Sequence, residues 1–274
     1  MPLLNTRPDR FFLLAGPCAV ESREVLDATA ERLVDICTRL EIPLVFKSSF
    51  RKANRTALSS FTGIGDEEAL ALLADAGKRF GVPTVTDIHA DEDAALAARY
   101  VDALQIPAFL CRQTSLLLAA GATGLPVNIK KGQFLSPEAM RFAAEKVVSG
   151  GGREVWLTER GTTFGYQDLV VDMRGIPTMR ATGHPVVMDV THSLQQPNQA
   201  SGVTGGRPRL IETIARAAIA AGADGLFIET HPEPAEALSD GANMLRLDAM
   251  EDLLTRLVHL KEAVAHIDAP AVNA

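Results

Sequence analysis

The sequence predicts an α/β fold, a single (β/α)8 barrel over residues 1–274. Three observations lead there. Eight short apolar runs alternate with Ala- and Leu-rich helical segments studded with acids and arginines, as parallel strands buried on both faces do. A polar group lies in or just after every one of those runs, as strand ends converging on one mouth require. The first run also lacks the glycine-rich fingerprint that would follow it in an open, dinucleotide-binding sheet.

Taken in order, the strand segments fall at 11–15, 44–46, 84–86, 103–106, 127–129, 155–157, 186–188 and 225–228. The clearest helices fall at 23–40, 66–80, 91–99, 137–148, 208–221 and 246–266. Their ends carry the expected signals. Ser136 and Pro137 suit an N-cap and first helical position, and Asp66, Glu67 and Glu68 place negative charge at a helix start. Gly77, Gly81 and Gly222 stand at or just beyond helix ends. No internal repeat, long linker or low-complexity run divides the chain, so it reads as one barrel.

Composition narrows the partners. Net charge of −7 and a pI near 5.4 argue against nucleic acid or an anionic membrane as a general partner. Cys18, Cys37 and Cys111, odd in number and widely spaced, do not make a disulfide framework and suit a reducing cytosol. The first ten residues lack the apolar core of a signal peptide, and no stretch is long and apolar enough to span a bilayer. A cytoplasmic protein is expected.

The charge chemistry concentrates after the second strand, where Lys47, Arg51, Lys52 and Arg55 are interleaved with Ser48, Ser49, Asn54 and Thr56 and no acid intervenes. Ammonium and guanidinium donors mixed with hydroxyls suit a multiply charged anion, above all phosphate. With Lys130 after the fifth strand and Arg160 after the sixth, the positive charge exceeds what one phosphate monoester needs. Two phosphates, or a phosphate and a carboxylate, are the expected load. Gln105 lies on the fourth strand, and Asp87 and His89 end the third.

A second constellation joins Cys18, His192, Glu229 and Asp240, at the ends of the first, seventh and eighth strands. The first and eighth strands are neighbours in a closed barrel, so these groups can meet. Mixed sulfur, nitrogen and oxygen ligation suits a divalent ion such as zinc, iron, cobalt or manganese. A lone buried cysteine is ordinarily packing, which is the reading for Cys37 and Cys111; Cys18 stands apart because of its company. His184 reads as an exposed turn residue, His231 as a ligand or a neighbour of one, and 202–209 as a glycine-rich loop able to serve as a lid.

The segments LAGPCAVES, FKSSFRKANRT, TDIH, QIPAFLCRQT, NIKKGQF, ERGTTFGYQDLVVDMR, DVTHS and FIETHPEPAEALSDGANML occur in this order across about residues 10 to 245. Together they resemble the 3-deoxy-D-manno-octulosonate 8-phosphate synthases. The resemblance implies a (β/α)8 barrel, a homotetramer, and condensation of phosphoenolpyruvate with D-arabinose 5-phosphate on the route to the Kdo sugar of lipopolysaccharide. It also implies a divalent metal, because the metal-dependent branch has Cys where the other has Asn, and Cys18 stands there.

Carried over residue by residue, Lys47, Ser49, Lys52, Gln105, Ala108, Lys130 and Arg160 match the phosphoenolpyruvate site. Asn54, Arg55 and Thr56 match the motif that holds arabinose 5-phosphate, with Asp87 near its hydroxyls. Phe109 and Arg112 match positions that reach the sugar phosphate of a neighbouring subunit, and Cys18, His192, Glu229 and Asp240 match the metal ligands. His192, Asp240, Lys52 and Lys130 are the catalytic candidates. Thr56 stands where Ser is usual, Ser115 where Asp often follows RQT, and Gln196-Pro197-Asn198 where LPG is common. The nearest competitor is the synthase using erythrose 4-phosphate, which typically has Pro where Asn54 stands. A non-catalytic sugar-phosphate sensor on the same barrel is the second.

Overall fold

The computed structural model describes residues 3–4, 7–54, 60–166, 168–196 and 205–268. Eight parallel strands form its centre: β1 (Phe12–Gly16), β2 (Leu44–Lys47), β3 (Thr84–Asp87), β4 (Ala103–Ile106), β5 (Val127–Lys130), β6 (Val155–Glu159), β7 (Val186–Asp189) and β8 (Gly225–His231). Each pairs with the next, and β1 pairs with β8 from Phe12↔Gly225 to Gly16↔Glu229, which closes the sheet into a TIM barrel.

The helices are α1 (Arg23–Arg39), α2 (Asp66–Phe80), α3 (Asp91–Ala97), α4 (Thr114–Ala122), α5 (Met140–Ser149), α6 (Gly175–Arg180), α7 (Ile211–Ala220) and α8 (Met250–Asp268). α4 and α6 were not expected. TSLLLAAGA is apolar on all sides, so it carries no 3.6-residue stripe, and the six residues of α6 are too few to show one. The segments read as helix starts at 137, 208 and 246 begin instead with 3-10 turns or a short strand pair, and the α-helices start later.

Strand alternation sorts the apolar side chains into two cores. Phe12, Leu14, Val45, Val85, Ala103, Trp156, Val187 and Phe227 point into the barrel, with Leu4 closing its amino-terminal end. Trp156 anchors that floor by donating from Nε1 to Glu154, whose other oxygen accepts the Leu3 N–H. The alternate strand residues, such as Leu13, Phe46 and Leu157, pack outward against the helices.

At six strands the ordered ladder runs past the last apolar residue to a polar one: Lys47, Asp87, Lys130, Glu159, Asp189, and on β8 both Glu229 and His231. The sequence placed these groups beyond the strands. Backbone pairing with the neighbouring strand (Asp87 opposite Gln105, Lys130 opposite Thr158) keeps them on rigid elements.

Candidate active site

Because side chains alternate, the residue two places after an interior apolar position also faces the barrel axis. Val45 is thus followed by Lys47, Val85 by Asp87, Ala103 by Gln105, Val187 by Asp189 and Phe227 by Glu229. The barrel interior is therefore apolar at its floor and polar at its carboxyl end. The same parity separates two neighbouring lysines. Lys130 faces the axis, whereas Lys131 turns outward to Glu159, 3.3 Å away, and to the Leu135 and Gly161 carbonyls.

The anion-binding candidates are held in hydrogen-bonded groups around the mouth. Lys47 Nζ donates to the Cys18 carbonyl (3.0 Å), Ser49 Oγ (2.9 Å) and Glu229 Oε1 (2.9 Å). Ser49 donates to Asp87 at 2.6 Å, and the other oxygen of Asp87 accepts from Gln105. Asn128 donates to Gln105 at 2.9 Å and accepts from Thr158 at 2.6 Å. Lys130 Nζ reaches Asp189 Oδ2 at 2.7 Å and stands 3.5 Å above the centre of the Phe227 ring. Arg160 donates from Nη2 to Gln195 Oε1 at 2.9 Å, while its Nη1, fully buried, has no hydrogen-bond partner among the described residues.

The positive charge is balanced within the protein itself. Lys47, Lys52 and Lys130 are each matched by a carboxylate, Glu229, Asp240 and Asp189. Arg51 leaves the group altogether and binds Asp66 and Asp93. Burial disfavours the Asp87 charge, yet Lys47 and Lys130 outweigh it and hold its pKa well below the carboxylate range. Asp189 is lowered in the same way against its burial, by His192 and Lys130. Burial, with Lys47 adding a like charge, draws Lys130 below the ordinary ammonium value although Asp189 opposes it.

At the β1–β8 seam the candidate metal ligands meet. Ligand atoms of Cys18, Glu229 and Asp240 all lie within 4.8 Å of one another. Gly16 permits the approach, since a Cβ there would lie 2.0 Å from the Lys47 carbonyl oxygen. Ser49 N–H donates to the Cys18 carbonyl and Val20 N–H to that of Ser49, so the β1–β2 pairing continues into the Cys18 loop. Asp240 adopts φ 51°, unusual for a residue with a side chain, and the following Gly241 lies against Pro234, whose carbonyl oxygen a Cβ would meet at 2.1 Å.

His192 adjoins this trio. Its Nδ1 stands 2.8 Å from Asp189 Oδ2, which leaves Nε2 facing Glu229 Oε2 at 3.5 Å. That Glu229 oxygen is buried and has no hydrogen-bond partner among the described residues. Lys52 Nζ lies 3.1 Å from both Cys18 Sγ and Asp240 Oδ2, so a positive charge already stands between thiol and carboxylate. A soft sulfur, an imidazole and carboxylates around an orphaned oxygen fit a divalent transition metal. Burial, then Glu229, raises the Cys18 pKa to about 12; Asp240 sits at about 2, where Lys52 and His192 overcome its burial.

Other candidates lie further out. Ala108 is buried beside β4, whereas Asn54, Phe109 and Arg112 are exposed. Arg55 and Thr56 fall outside the described residues, as do Pro197, Asn198 and the glycine-rich loop up to 204. His184 is half-buried rather than exposed, and burial lowers its pKa. Asn128, Thr158 and Phe227 were not singled out from sequence for the site; counting in twos back from Lys130 and Glu229 and forward from Trp156 would have found each.

The family model described as "DAHP synthetase I family" matches residues 3–266. The chain is 52% identical over 260 residues to a 2-dehydro-3-deoxyphosphooctonate aldolase of Acidithiobacillus ferrooxidans, covering 95% of this chain and 92% of the relative. It is 53% identical over 254 residues to the protein of that name from Brucella anthropi, covering 93% and 91%. The protein of that name from a Cyanothece species is 49% identical over 255 residues, covering 93% of each.

Proposed function

The chain belongs to the DAHP synthetase I family, and we infer that its reaction is that of the 2-dehydro-3-deoxyphosphooctonate aldolases it resembles. Phosphoenolpyruvate, D-arabinose 5-phosphate and water give 3-deoxy-D-manno-octulosonate 8-phosphate and phosphate. The observation that carries this reading is the Nη1 of Arg160, buried with no hydrogen-bond partner among the described residues, at the same end of the barrel as Lys47 and Lys130. Residues 1–274 act as one catalytic domain in this reading.

Lys47, Ser49, Lys52, Gln105, Ala108, Lys130 and Arg160 would hold the phosphate and carboxylate of phosphoenolpyruvate. Asn54, Arg55 and Thr56 would take the arabinose 5-phosphate, with Asp87 at its hydroxyls. Fixed cations bring two anionic substrates together without the repulsion they meet in water. C3 of the enol forms a bond to the aldehyde carbon, water adds at C2, and the resulting hemiketal phosphate loses phosphate by C–O cleavage. Lys130, whose lowered pKa would ease proton transfer, and His192, held by Asp189, would carry protons, with Lys52 and Asp240 as the further candidates. A divalent ion held by Cys18, His192, Glu229 and Asp240 would supply Lewis-acid polarisation of a bound oxygen.

Phosphate release from phosphoenolpyruvate tests the substrate. Release is expected with arabinose 5-phosphate and not with erythrose 4-phosphate. The reverse pattern would make the chain a heptulosonate synthase, and release with neither would make it a binding barrel.

We further propose a cytoplasmic homotetramer whose sites are completed across an interface. Its three cysteines are free thiols, and among the described residues no helix is long and apolar enough to cross a membrane. Phe109, Phe134, Phe142, Phe164 and Tyr166, from three consecutive βα units, are exposed, which supports burial against another copy. Arg112 would then reach the sugar phosphate of a neighbour. Mixing Arg112→Ala subunits with Lys130→Met subunits, each inactive alone, is expected to restore activity in part, because some sites in the mixed oligomer carry neither lesion. Verified hetero-oligomers as inactive as their parents would reject the shared site.

A further inference from the structure

Asp240 differs from the other metal-ligand candidates in lying far along the chain from any barrel strand. Cys18 is tied into the β1–β2 pairing and Glu229 lies within β8, but Asp240 sits nine residues beyond the end of β8 (residue 231) in a left-handed backbone conformation. A side chain so carried needs an outside restraint to keep its carboxylate at the ligand cluster. Glu21 provides one. From the loop before α1, its Oε1 accepts the Leu238 N–H at 2.9 Å, and the Ser239 N–H is turned to the same carboxylate. Its Oε2 lies 3.7 Å from Nε2 of His231, and both side chains are buried, at 7% and 5% exposure.

His231 completes the clamp. Its Nδ1 accepts the Glu233 N–H at 3.0 Å, which leaves Nε2, with no hydrogen-bond partner among the described residues, facing Glu21 across 3.7 Å. The strand end of β8 and the segment just before Asp240 are therefore gathered on one buried carboxylate. Neither Glu21 nor His231 belongs to the cluster of ligand atoms within 4.8 Å.

We propose that Glu21 is a positioning residue that holds Asp240 in its ligating place, an inference that rests on the metal site assigned above. The bond to the Leu238 N–H carries the effect, so a neutral acceptor of the same shape preserves it and a side chain without an acceptor does not.

The probe is Co²⁺ added to the metal-stripped, full-length protein. The thiolate-to-cobalt absorption band reports ligation by Cys18, and its titration gives Kd. Glu21→Met is expected to weaken Co²⁺ binding about 10–100-fold, the usual cost of losing a group that orients a ligand, whereas Glu21→Gln stays within about threefold of the parent. Should Glu21→Met fail to fold, Leu238→Pro deletes the same bond from its donor side. Leu238 is exposed, and Ala237 already has the extended backbone (φ −60°, ψ 135°) that a following proline requires. Loss in Leu238→Pro that matches the expected loss supports the proposal. A Glu21→Met or Leu238→Pro protein that binds Co²⁺ as tightly as the parent overturns it and leaves the metal site standing. A parent protein that shows no thiolate band overturns both.

Discussion

Lys130→Met is expected to lower kcat/KM for phosphoenolpyruvate by about 10²–10³-fold, roughly 3–4 kcal/mol of transition-state stabilisation. The ammonium stands at the carboxyl end of β5, between the Phe227 ring and Asp189, where solvent cannot replace it. Methionine keeps the unbranched apolar stem and removes the charge. The same change leaves Asp189, fully buried, without its lysine. An uncompensated buried charge costs about 3–5 kcal/mol. The loss should fall at the low end, because His192 and the Thr191 and His192 N–H groups still bind that carboxylate. The two effects separate in the double variant Lys130→Met/Asp189→Asn: urea denaturation should show stability largely recovered, while steady-state turnover stays low. Turnover within tenfold of the parent for Lys130→Met would remove Lys130 from the chemistry.

Exhaustive chelation is expected to reduce turnover at least 10²-fold, with recovery when a divalent ion is restored. The Cys18 thiol, held neutral by burial beside Glu229 and Asp240, has no packing role that would require sulfur there. Full turnover with metal analysis showing none bound would reject this. A linked expectation concerns Cys18→Asn. Its amide oxygen could accept from Lys52, and its amide nitrogen could donate to Asp240 or to the Glu229 oxygen that has no partner among the described residues. The variant should then turn over without metal and ignore chelators. Inactivity that neither addition nor removal of metal changes would show that neighbouring groups do not accept the exchange.

The sequence by itself determined the barrel, because eight buried parallel strands need eight apolar runs, and a run of that kind is visible without any partner. It also located the mouth. Lys47, Lys130, Arg160, Cys18 and Glu229 each sit at the end of such a run, and a barrel brings all strand ends to one side. α4 escaped notice because a helix of nearly uniform apolar residues has no stripe, and α6 because six residues carry too little pattern.

Only the tertiary structure decided which of adjacent charges face the axis. Lys130 and Lys131 look alike in sequence, yet one points into the barrel and the other to Glu159, since neighbouring strand residues take opposite faces and a local pattern of polar residues does not say which is which. Charge balance was hidden for a related reason. The carboxylates that neutralise Lys47, Lys52 and Lys130 lie 182, 188 and 59 residues away along the chain. Arg51, counted with them by proximity in sequence, is drawn off to Asp66 and Asp93. Coulomb attraction depends on distance in space, and closure of the β1–β8 seam sets that distance for the Lys47 and Lys52 pairs, as the neighbouring strands β5 to β7 do for Lys130.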